Sequence, residues 1–146
     1  MFTISTKGDY GMLFMAELVK QYHKGFVSLS YFSKRKKVSS NYLHQVVMPL
    51  KKKGLVISRE GIKGGYSLSK APNKISILSV IEALEGSLAI VRCMVGKQSK
   101  DCPGIKKCEV GPIWDYIQRE MISLLQKMTL QDILTPRSQK LYHIKK

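Results

Sequence analysis

The chain has 146 residues, of which 44% are hydrophobic, and this is enough apolar material for a folded core rather than a disordered segment. Lys and Arg number 25 against 10 Asp and Glu, and residues 1–76 carry a net charge of +11 while residues 77–146 carry +4. Positive charge concentrated in this way points to a polyanionic partner bound by the N-terminal half.

Three sequence features argue against a membrane or secreted protein. No apolar run approaches the ~18 residues of a membrane span, and the first residues, MFTISTKGDYG, lack the apolar core of a signal peptide. A basic amphipathic helix with aromatic anchors, which would bind a membrane surface, is also missing. We therefore expect a cytoplasmic protein without a membrane partner. Cysteines in that compartment rarely form a disulfide framework, so the three here indicate metal binding, redox chemistry or no special role.

The first predicted helix begins at Thr6. Thr6 is placed to act as the N-cap, and Asp9 follows three residues later, a spacing that resembles a capping box with Asp in place of Glu. The apolar stripe that we expect to be buried has helical spacing, and Gly25 ends the segment. The residues of this stripe are Tyr10, Leu13, Phe14, Leu18 and Tyr22.

The next two predicted helices are joined by a short connection. Ser28 caps the second helix, which runs to about Lys36, and Ser39 caps the third. Two helices joined in this way are typical of a helix-turn-helix unit, in which the second helix enters the major groove of DNA. Pro49 lies inside the third helix, where we expect a bend or a break, and Gly54 ends it. The apolar face of this third helix consists of Leu43, Val46, Val47 and Leu50.

A two-stranded hairpin, or wing, follows the third helix. Its predicted strands are Leu55–Arg59 and Tyr66–Ser69, and three glycines at 61, 64 and 65 form the turn between them. A nucleotide-binding phosphate loop is the enzymatic alternative for this glycine-rich stretch. GIKGGYS lacks the Gly-Lys-Ser/Thr ending of such a loop, which disfavours the alternative.

The C-terminal half alternates helices with one long loop. A short helix is predicted at Ile77–Leu84, and residues 87–111, which hold all three cysteines, form an irregular stretch long enough to suggest a function. Gly111-Pro112 starts a long helix, and Thr129–Leu134 adds a short one. The long helix has one apolar stripe, and since a DNA reader with one recognition helix usually dimerises, we expect a dimer seam there. This stripe consists of Ile113, Trp114, Ile117, Met121, Leu124, Leu125 and Met128.

These elements predict contacts to DNA. Lysines at the end of the third helix and at the wing would contact phosphates, and polar side chains near the start of the helix would read base edges, since Gln or Asn can pair with adenine. The glycines of the wing allow its backbone to approach phosphates closely. The candidate DNA-contacting residues are Ser39, Ser40, Asn41, Tyr42, His44, Gln45, Lys51, Lys52, Lys53, Arg59, Lys63, Gly64, Gly65 and Tyr66.

Four segments resemble one known family. They are SSNYLHQVVMPLKKKGLV, IKGGYSLS, ILSVIEALEGSLAIV and CEVGPIWDYIQREMISLLQKMTLQDIL, and they are similar to the winged-helix transcription regulators that include IscR, NsrR, RirA and CymR. The likeness covers about residues 1–135. It implies a homodimer that binds a double-stranded DNA operator, with long helices crossed at the centre and a winged-helix domain at each end. Many relatives have Glu where this chain has His44, so the preferred operator sequence is expected to differ.

The resemblance also implies a metal centre. In several members three loop cysteines hold a two-iron or four-iron iron–sulfur cluster, and Cys93, Cys102 and Cys108 match those positions. Iron–sulfur clusters favour thiolate ligands. Some relatives have a His three residues after the last Cys, where this chain has Gly111. Asp9 matches an Asp that, in nitric-oxide-sensing relatives, reaches the cluster from the other subunit; its alternative role is that of a helix cap.

The expected fold class is therefore mainly α with a small β wing. A winged helix-turn-helix DNA-binding domain occupies residues 1–86, a cysteine-bearing sensor loop residues 87–111, a dimerisation helix with a C-terminal short helix residues 112–135, and a basic tail residues 136–146. The expected function is a dimeric regulator that senses iron, redox state or nitric oxide.

Several alternatives stay open. One is a cluster-free regulator of the same fold that uses thiols, a metabolite or a partner protein, and another is zinc in place of the cluster. The remaining two belong to other classes of protein. A small metal or redox enzyme would need a substrate pocket motif or an acid–base pair, which the sequence lacks. A nonspecific nucleic-acid binder would show no operator preference.

Overall fold

The structure is a computed structural model, and it describes residues 4–94, 104 and 107–135. Its elements are α1 (Thr6–Lys20), α2 (Leu29–Lys36), α3 (Ser40–Lys52), β1 (Val56–Arg59), β2 (Gly65–Leu68), α4 (Ile77–Glu85) and α5 (Gly111–Lys127), with 3-10 turns at Pro72–Lys74, Arg92–Met94 and Leu130–Leu134. The predicted fold class, mainly helical with a small antiparallel wing, is confirmed. Within the described residues, no helix is long and apolar enough to cross a membrane.

The start of α1 differs from the prediction. Ser5, not Thr6, is the N-cap, and its Oγ accepts a hydrogen bond from the backbone N–H of Gly8 at 3.1 Å. The backbone N–H and the hydroxyl of Ser5 in turn donate to Oε1 of Glu85, at 3.0 and 2.7 Å. The carboxylate that completes the cap thus comes from the end of α4, and the Asp9 side chain is exposed.

The core surrounds α1 on several sides. Phe14 and Leu18 are buried as predicted, but Leu13 is 37% exposed, and Met15 and Glu17 are buried instead. The buried arc of α1 is therefore rotated away from Leu13. Besides Phe14, Met15 and Leu18, the side chains that are almost completely buried are Phe32, Leu43, Val46, Val47, Leu50, Ile75, Val80 and Leu130.

Helices α2 and α3 form the predicted helix-turn-helix unit. The hydroxyl oxygens of Ser28 and Ser39 accept bonds from backbone N–H groups three residues on, at 3.1 and 3.2 Å, so both predicted caps are confirmed. The connection contains Lys37 in a left-handed conformation with φ 54°. All four residues of the predicted apolar face of α3 are buried. A bend or a break was expected near Gln45–Pro49, and the break is wrong, because α3 is continuous from Ser40 to Lys52.

The wing contacts the segment that precedes α2. β1 and β2 are antiparallel, with Val56 opposite Leu68 and Arg59 opposite Gly65. Val27, which lies just before α2, exchanges two backbone hydrogen bonds with Tyr66 of β2, each 2.8 Å long. β2 therefore has a partner on both sides, a contact that the sequence did not predict.

The C-terminal elements pack on α4. Leu78, Ile81 and Leu88 form a small apolar cluster, and α5 packs against it with Met121, Ile122 and Leu125. The predicted short helix after α5 is a 3-10 turn, Leu130–Leu134, with a capping box between Thr129 and Asp132. Because Leu130 is fully buried and its N–H donates to the carbonyl of Ile75 at 2.9 Å, the end of α5 is held against the start of α4.

Gly65 is a wing position that we expect not to tolerate a side chain. It has φ +142°, and an added Cβ would lie 2.4 Å from the carbonyl oxygen of Val27. Gly25 has nearly the same φ, +139°, but nothing within 4 Å of an added Cβ. Gly65→Ala should therefore lower the free energy of unfolding by at least about 1 kcal/mol more than Gly25→Ala does, as measured by chemical denaturation. Equal losses for the two variants would contradict the close approach of Gly65 to the carbonyl oxygen of Val27.

Candidate nucleic-acid interface

The exposed face of α3 lies opposite its buried face. Ser40, Asn41, His44 and Gln45 are exposed, and Met48 is 56% exposed one turn further on. Asn41, Gln45, Met48 and Lys52 follow one another at steps of four, three and four residues, so they share one side of the helix. This side presents amide, thioether and ammonium groups to solvent.

Two of the predicted contact residues near the start of α3 also have structural roles. The hydroxyl of Ser39 is the helix cap. The ring of Tyr42 is half-buried and packs edge-on against the ring of Tyr10, with centroids 6.0 Å apart. Both side chains thus hold the start of α3 in place beside the exposed residues.

Lysines surround the exposed face of α3. Lys51, Lys52 and Lys53 are exposed at its end, and none of the three forms an ion pair with a described residue. The end of α2 contributes three further exposed lysines, which the sequence interpretation did not include among the contacts although the run KRKK signals them. These are Lys34, Lys36 and Lys37.

Arg35, in the same run, has a structural role. Its Nη1 donates to Oε1 of Glu17 and to the hydroxyl of Tyr31, at 3.1 and 3.0 Å. The pKa of the Arg35 guanidinium is raised above its usual value by the bond to Tyr31 and then by the charge of Glu17. Glu17 is 4% exposed. Since a buried carboxylate is costly without a partner, the charge of the half-exposed Arg35 is used to pair with Glu17.

The turn of the wing is exposed to solvent, whereas its second strand, β2, is partly or fully buried. Lys63 is exposed, and Ile62 beside it is fully exposed. Gly64 packs against the backbone of Arg59, since an added Cβ would lie 2.2 Å from its carbonyl oxygen. The Tyr66 ring contacts Phe14 of the core, with centroids 6.0 Å apart. Of the predicted wing contacts, Arg59 and Lys63 are thus the accessible cations.

A shallow apolar hollow accompanies the polar face of α3. Met48 and Pro49 line it together with Gln45, Lys51 and Lys52, and its volume is about 690 Å³. Met48 was absent from the predicted contacts. Its spacing of three residues after Gln45 is the sequence signal that places it on the exposed side.

The cysteine loop is described only in part. Cys93 is half-buried in the turn Arg92–Met94, and Cys108 is exposed three residues before the start of α5. Both are free thiols in the described part of the chain. Cys102 lies outside the described residues. Among the residues that are described, no three His, Cys, Asp or Glu side chains come together as a metal-binding group.

Asp9 lies at the edge of a cavity of about 270 Å³. Met12, Ile81 and Leu84 form the apolar wall of this cavity, and Glu85 lines it as well. The Asp9 side chain accepts no hydrogen bond from a described residue, whereas Glu85 is bonded to Ser5. Of the two carboxylates, Asp9 is the one without a capping role.

The face of α5 that does not contact α4 is apolar and exposed. No residue of α5, all of which is described, is buried. Met121, Ile122 and Leu125 contact α4, so the predicted stripe is divided between two faces. The large exposed apolar side chains on and directly after α5 are Ile113, Tyr116, Ile117, Leu124 and Met128, which are 37–59% exposed.

Comparison with known proteins identifies one family. The family model described as "Iron-dependent Transcriptional regulator", Rrf2, matches residues 4–136. The regulator IscR of Erwinia tasmaniensis is 32% identical over 131 residues, which are 90% of this chain and 78% of that protein. The regulator CymR of Bacillus subtilis is 34% identical over 130 residues, 89% of this chain and 88% of that protein.

Solved structures agree with these relatives. The structure of CymR, the global cysteine regulator of B. subtilis, superimposes with a TM-score of 0.68, covering 91% of this chain and 96% of that one. The structure of T. potens IscR gives a TM-score of 0.66 at 32% identity, covering 91% of this chain and 86% of that one. The winged-helix architecture is therefore shared with both kinds of regulator.

Proposed function

Because the chain belongs to the Rrf2 family of transcriptional regulators, we propose that it binds a specific double-stranded DNA operator through α3 and the wing. The observation that carries this proposal is the exposed side of α3, where Asn41, Gln45 and Met48 project beside lysines that have no ion pair among the described residues. An α-helix fits the major groove, and its exposed side chains then meet base edges.

The side chains of α3 divide into two kinds of contact. Gln45 and Asn41 would bond to adenine edges, and Met48 offers the apolar contact that the methyl group of thymine accepts. Lys51, Lys52 and Lys53 would contact phosphates and set affinity without reading sequence. Since the named relatives are regulators, we propose no enzymatic activity, and we place the protein in the cytoplasm with its DNA.

Gln45 and Lys52 should respond differently to substitution. Gln45→Ala should weaken binding by about 1–3 kcal/mol for each half-site of the preferred operator and relax selection at one base pair in each, because it removes a base contact. Lys52→Gln should instead weaken binding to all duplexes to a similar degree. The measurement is selection from a randomised duplex pool by the wild-type protein, followed by titration of the selected and a scrambled duplex. A wild type that binds both equally would exclude specific recognition.

We further propose that two copies associate through α5. The exposed apolar face of α5 needs a cover, since monomeric proteins rarely leave a contiguous patch of this kind in water. A second copy supplies a matching face by two-fold symmetry, and two readers can then occupy two half-sites on one side of the duplex. In this division, residues 1–86 bind DNA, residues 87–111 form the sensor loop and residues 112–135 hold the dimer together.

Leu124 tests the dimer. Leu124→Glu places a charge in the exposed apolar face and should produce monomers, as measured by sedimentation or light scattering, because a buried charge without a partner is costly. Gln126→Glu is the matched control, since Gln126 is exposed on another side of α5 and outside the apolar face. A Leu124→Glu protein that remains dimeric would place the interface elsewhere.

We propose that Cys93, Cys102 and Cys108 hold an iron–sulfur cluster that controls DNA binding. The donor set fits, because thiolates are the preferred ligands of such clusters and Cys93 and Cys108 are free. Cys108 also lies near the N-terminus of α5, where the helix dipole favours an anionic group. A bound cluster would act as the sensor, because oxygen or nitric oxide can oxidise or destroy it and a shortage of iron prevents its assembly.

A fourth ligand would have to come from another segment. At position 111, a Cβ would lie 3.5 Å from Sγ of Cys108, but the residue is Gly and offers no donor. Asp9 is exposed and has no capping role, so we propose that it reaches the cluster of the partner subunit. The alternative is a cluster-free regulator that uses its thiols. The similarity to CymR, a cysteine regulator, supports this alternative.

Protein purified without oxygen tests the cluster directly. The wild-type protein should absorb visible light and contain iron and sulfide. Both signals should be lost in Cys108→Ser. The same metal analysis would detect zinc, the alternative occupant of the site. Asp9→Asn, which removes one charge and keeps the size, should change the spectrum or the stability of the cluster. Asp115→Asn is the matched control. This variant also removes one exposed carboxylate, but Asp115 already has a partner on its own helix, Arg119. A colourless, metal-free protein that still binds DNA would favour the thiol alternative.

A further inference from the structure

An open groove separates the wing from the segment that joins α1 to α2. Its volume is about 720 Å³, and we call it the wing groove. One wall is the turn of the wing, the other wall is the α1–α2 segment, and the first turn of α2 forms the floor. The lining residues that matter here are Lys24, Phe26, Tyr31, Arg59, Ile62 and Lys63.

The wing groove collects positive charge from two distant parts of the chain. Lys24 comes from the α1–α2 segment, and Arg59 and Lys63 come from the wing. None of the three forms an ion pair with a described residue, although the nearby acid Glu60 is exposed on the wing. Three unpaired cations around one concave surface attract an anionic partner.

Arg59 is held in position before any partner arrives. Its guanidinium carbon lies 4.7 Å from the centroid of the Phe26 ring, and its Nη2 donates to the carbonyl of Lys63 at 3.4 Å. The backbone bonds between Val27 and Tyr66 set the distance between the two walls. Because Arg59 is already ordered, binding of a partner here costs less side-chain entropy than binding at an unrestrained arginine would.

The helix-turn-helix geometry indicates which anion fits. In such units the second helix lies in the major groove while the first crosses the DNA backbone. Here the first turn of α2 forms the floor of the wing groove, and the wing forms one of its walls. A DNA strand that leaves the major groove at α3 and passes beside the wing would run through this space.

We propose that the wing groove holds the sugar–phosphate backbone of duplex DNA, with Lys24, Arg59 and Lys63 around its phosphates. This inference rests on the proposed DNA-binding function and extends the contact surface to Lys24, a residue outside both α3 and the wing. Phosphodiester contacts carry no base information, so the wing groove adds affinity and fixes the register of α3 on its site.

Lys24→Gln provides the test, because Lys24 is exposed and its substitution should leave the fold intact. Affinity for a duplex selected by the wild-type protein is measured from 50 to 200 mM salt. Because each subunit of the proposed dimer loses one phosphate contact, the slope of log affinity against log salt should fall in magnitude by about 1.8. The loss of affinity over this salt range should therefore shrink by about 12-fold. Lys74→Gln, on the turn Pro72–Lys74 and outside α3, the wing groove and α5, is the charge-matched control and should keep the wild-type slope.

A second measurement locates the phosphate. Single phosphates of the selected duplex are replaced in turn by uncharged methylphosphonates. The wild-type protein should lose affinity at one or two positions beside the α3 site, and Lys24→Gln should no longer respond there. If wild-type protein binds its duplex specifically and Lys24→Gln matches it in both measurements, the inference is overturned while the proposed function stands. If the wild type selects no duplex at all, both fail.

Discussion

Two backbone hydrogen bonds between Val27 and Tyr66 join the wing to the helices that carry the proposed DNA-binding surface. An isolated two-stranded hairpin is only marginally stable in water, and these bonds give β2 a partner on its second side. They also fix the wing relative to the start of α2, and therefore relative to α3, which packs on α2. Gly65 is required at this point because a side chain would collide with the carbonyl of Val27. The spacing between the wing and α3 thus depends on these bonds together with the packing of β1 on α3 and of β2 on α1.

Helix α4 joins the recognition surface to the C-terminal part of the chain. At one end Glu85 accepts two hydrogen bonds from Ser5 and so caps α1. Along its length Leu78 and Ile81 pack against α5, and beyond its start the carbonyl of Ile75 accepts a bond from Leu130. Gln118 of α5 adds bonds to the backbone of Leu88 and Ile90 at the start of the cysteine loop. A conformational change in the cysteine loop would therefore affect α5 through Gln118, and through α4 it would reach the start of α1.

The basic residues of the N-terminal half serve two different purposes. Arg35 pairs with the buried Glu17 and is bonded to Tyr31, so its charge stabilises the fold although its side chain is half exposed. The lysines of α3, the end of α2 and the wing groove have no such partners among the described residues. A net charge of +15 is consequently a poor guide to any single contact. Only the positions of the acids separate cations that stabilise the fold from cations available to DNA.

The sequence by itself determined the helices, their serine caps at Ser28 and Ser39, the buried face of α3 and the glycine-rich turn of the wing, because all of these follow from interactions within a few residues. It misplaced the cap of α1 by one residue, at Thr6 instead of Ser5, and it could not show that the carboxylate bonded to Ser5 belongs to Glu85, 80 residues away. Nor could it show that Leu13 is exposed while Glu17 is buried, since the packing of several elements around α1 decides which arc of that helix faces inward. The wing groove is likewise a tertiary feature. Lys24 and Arg59 lie 35 positions apart in sequence, and the pairing of Val27 with Tyr66 and the packing of β2 on α1 bring them to the same surface.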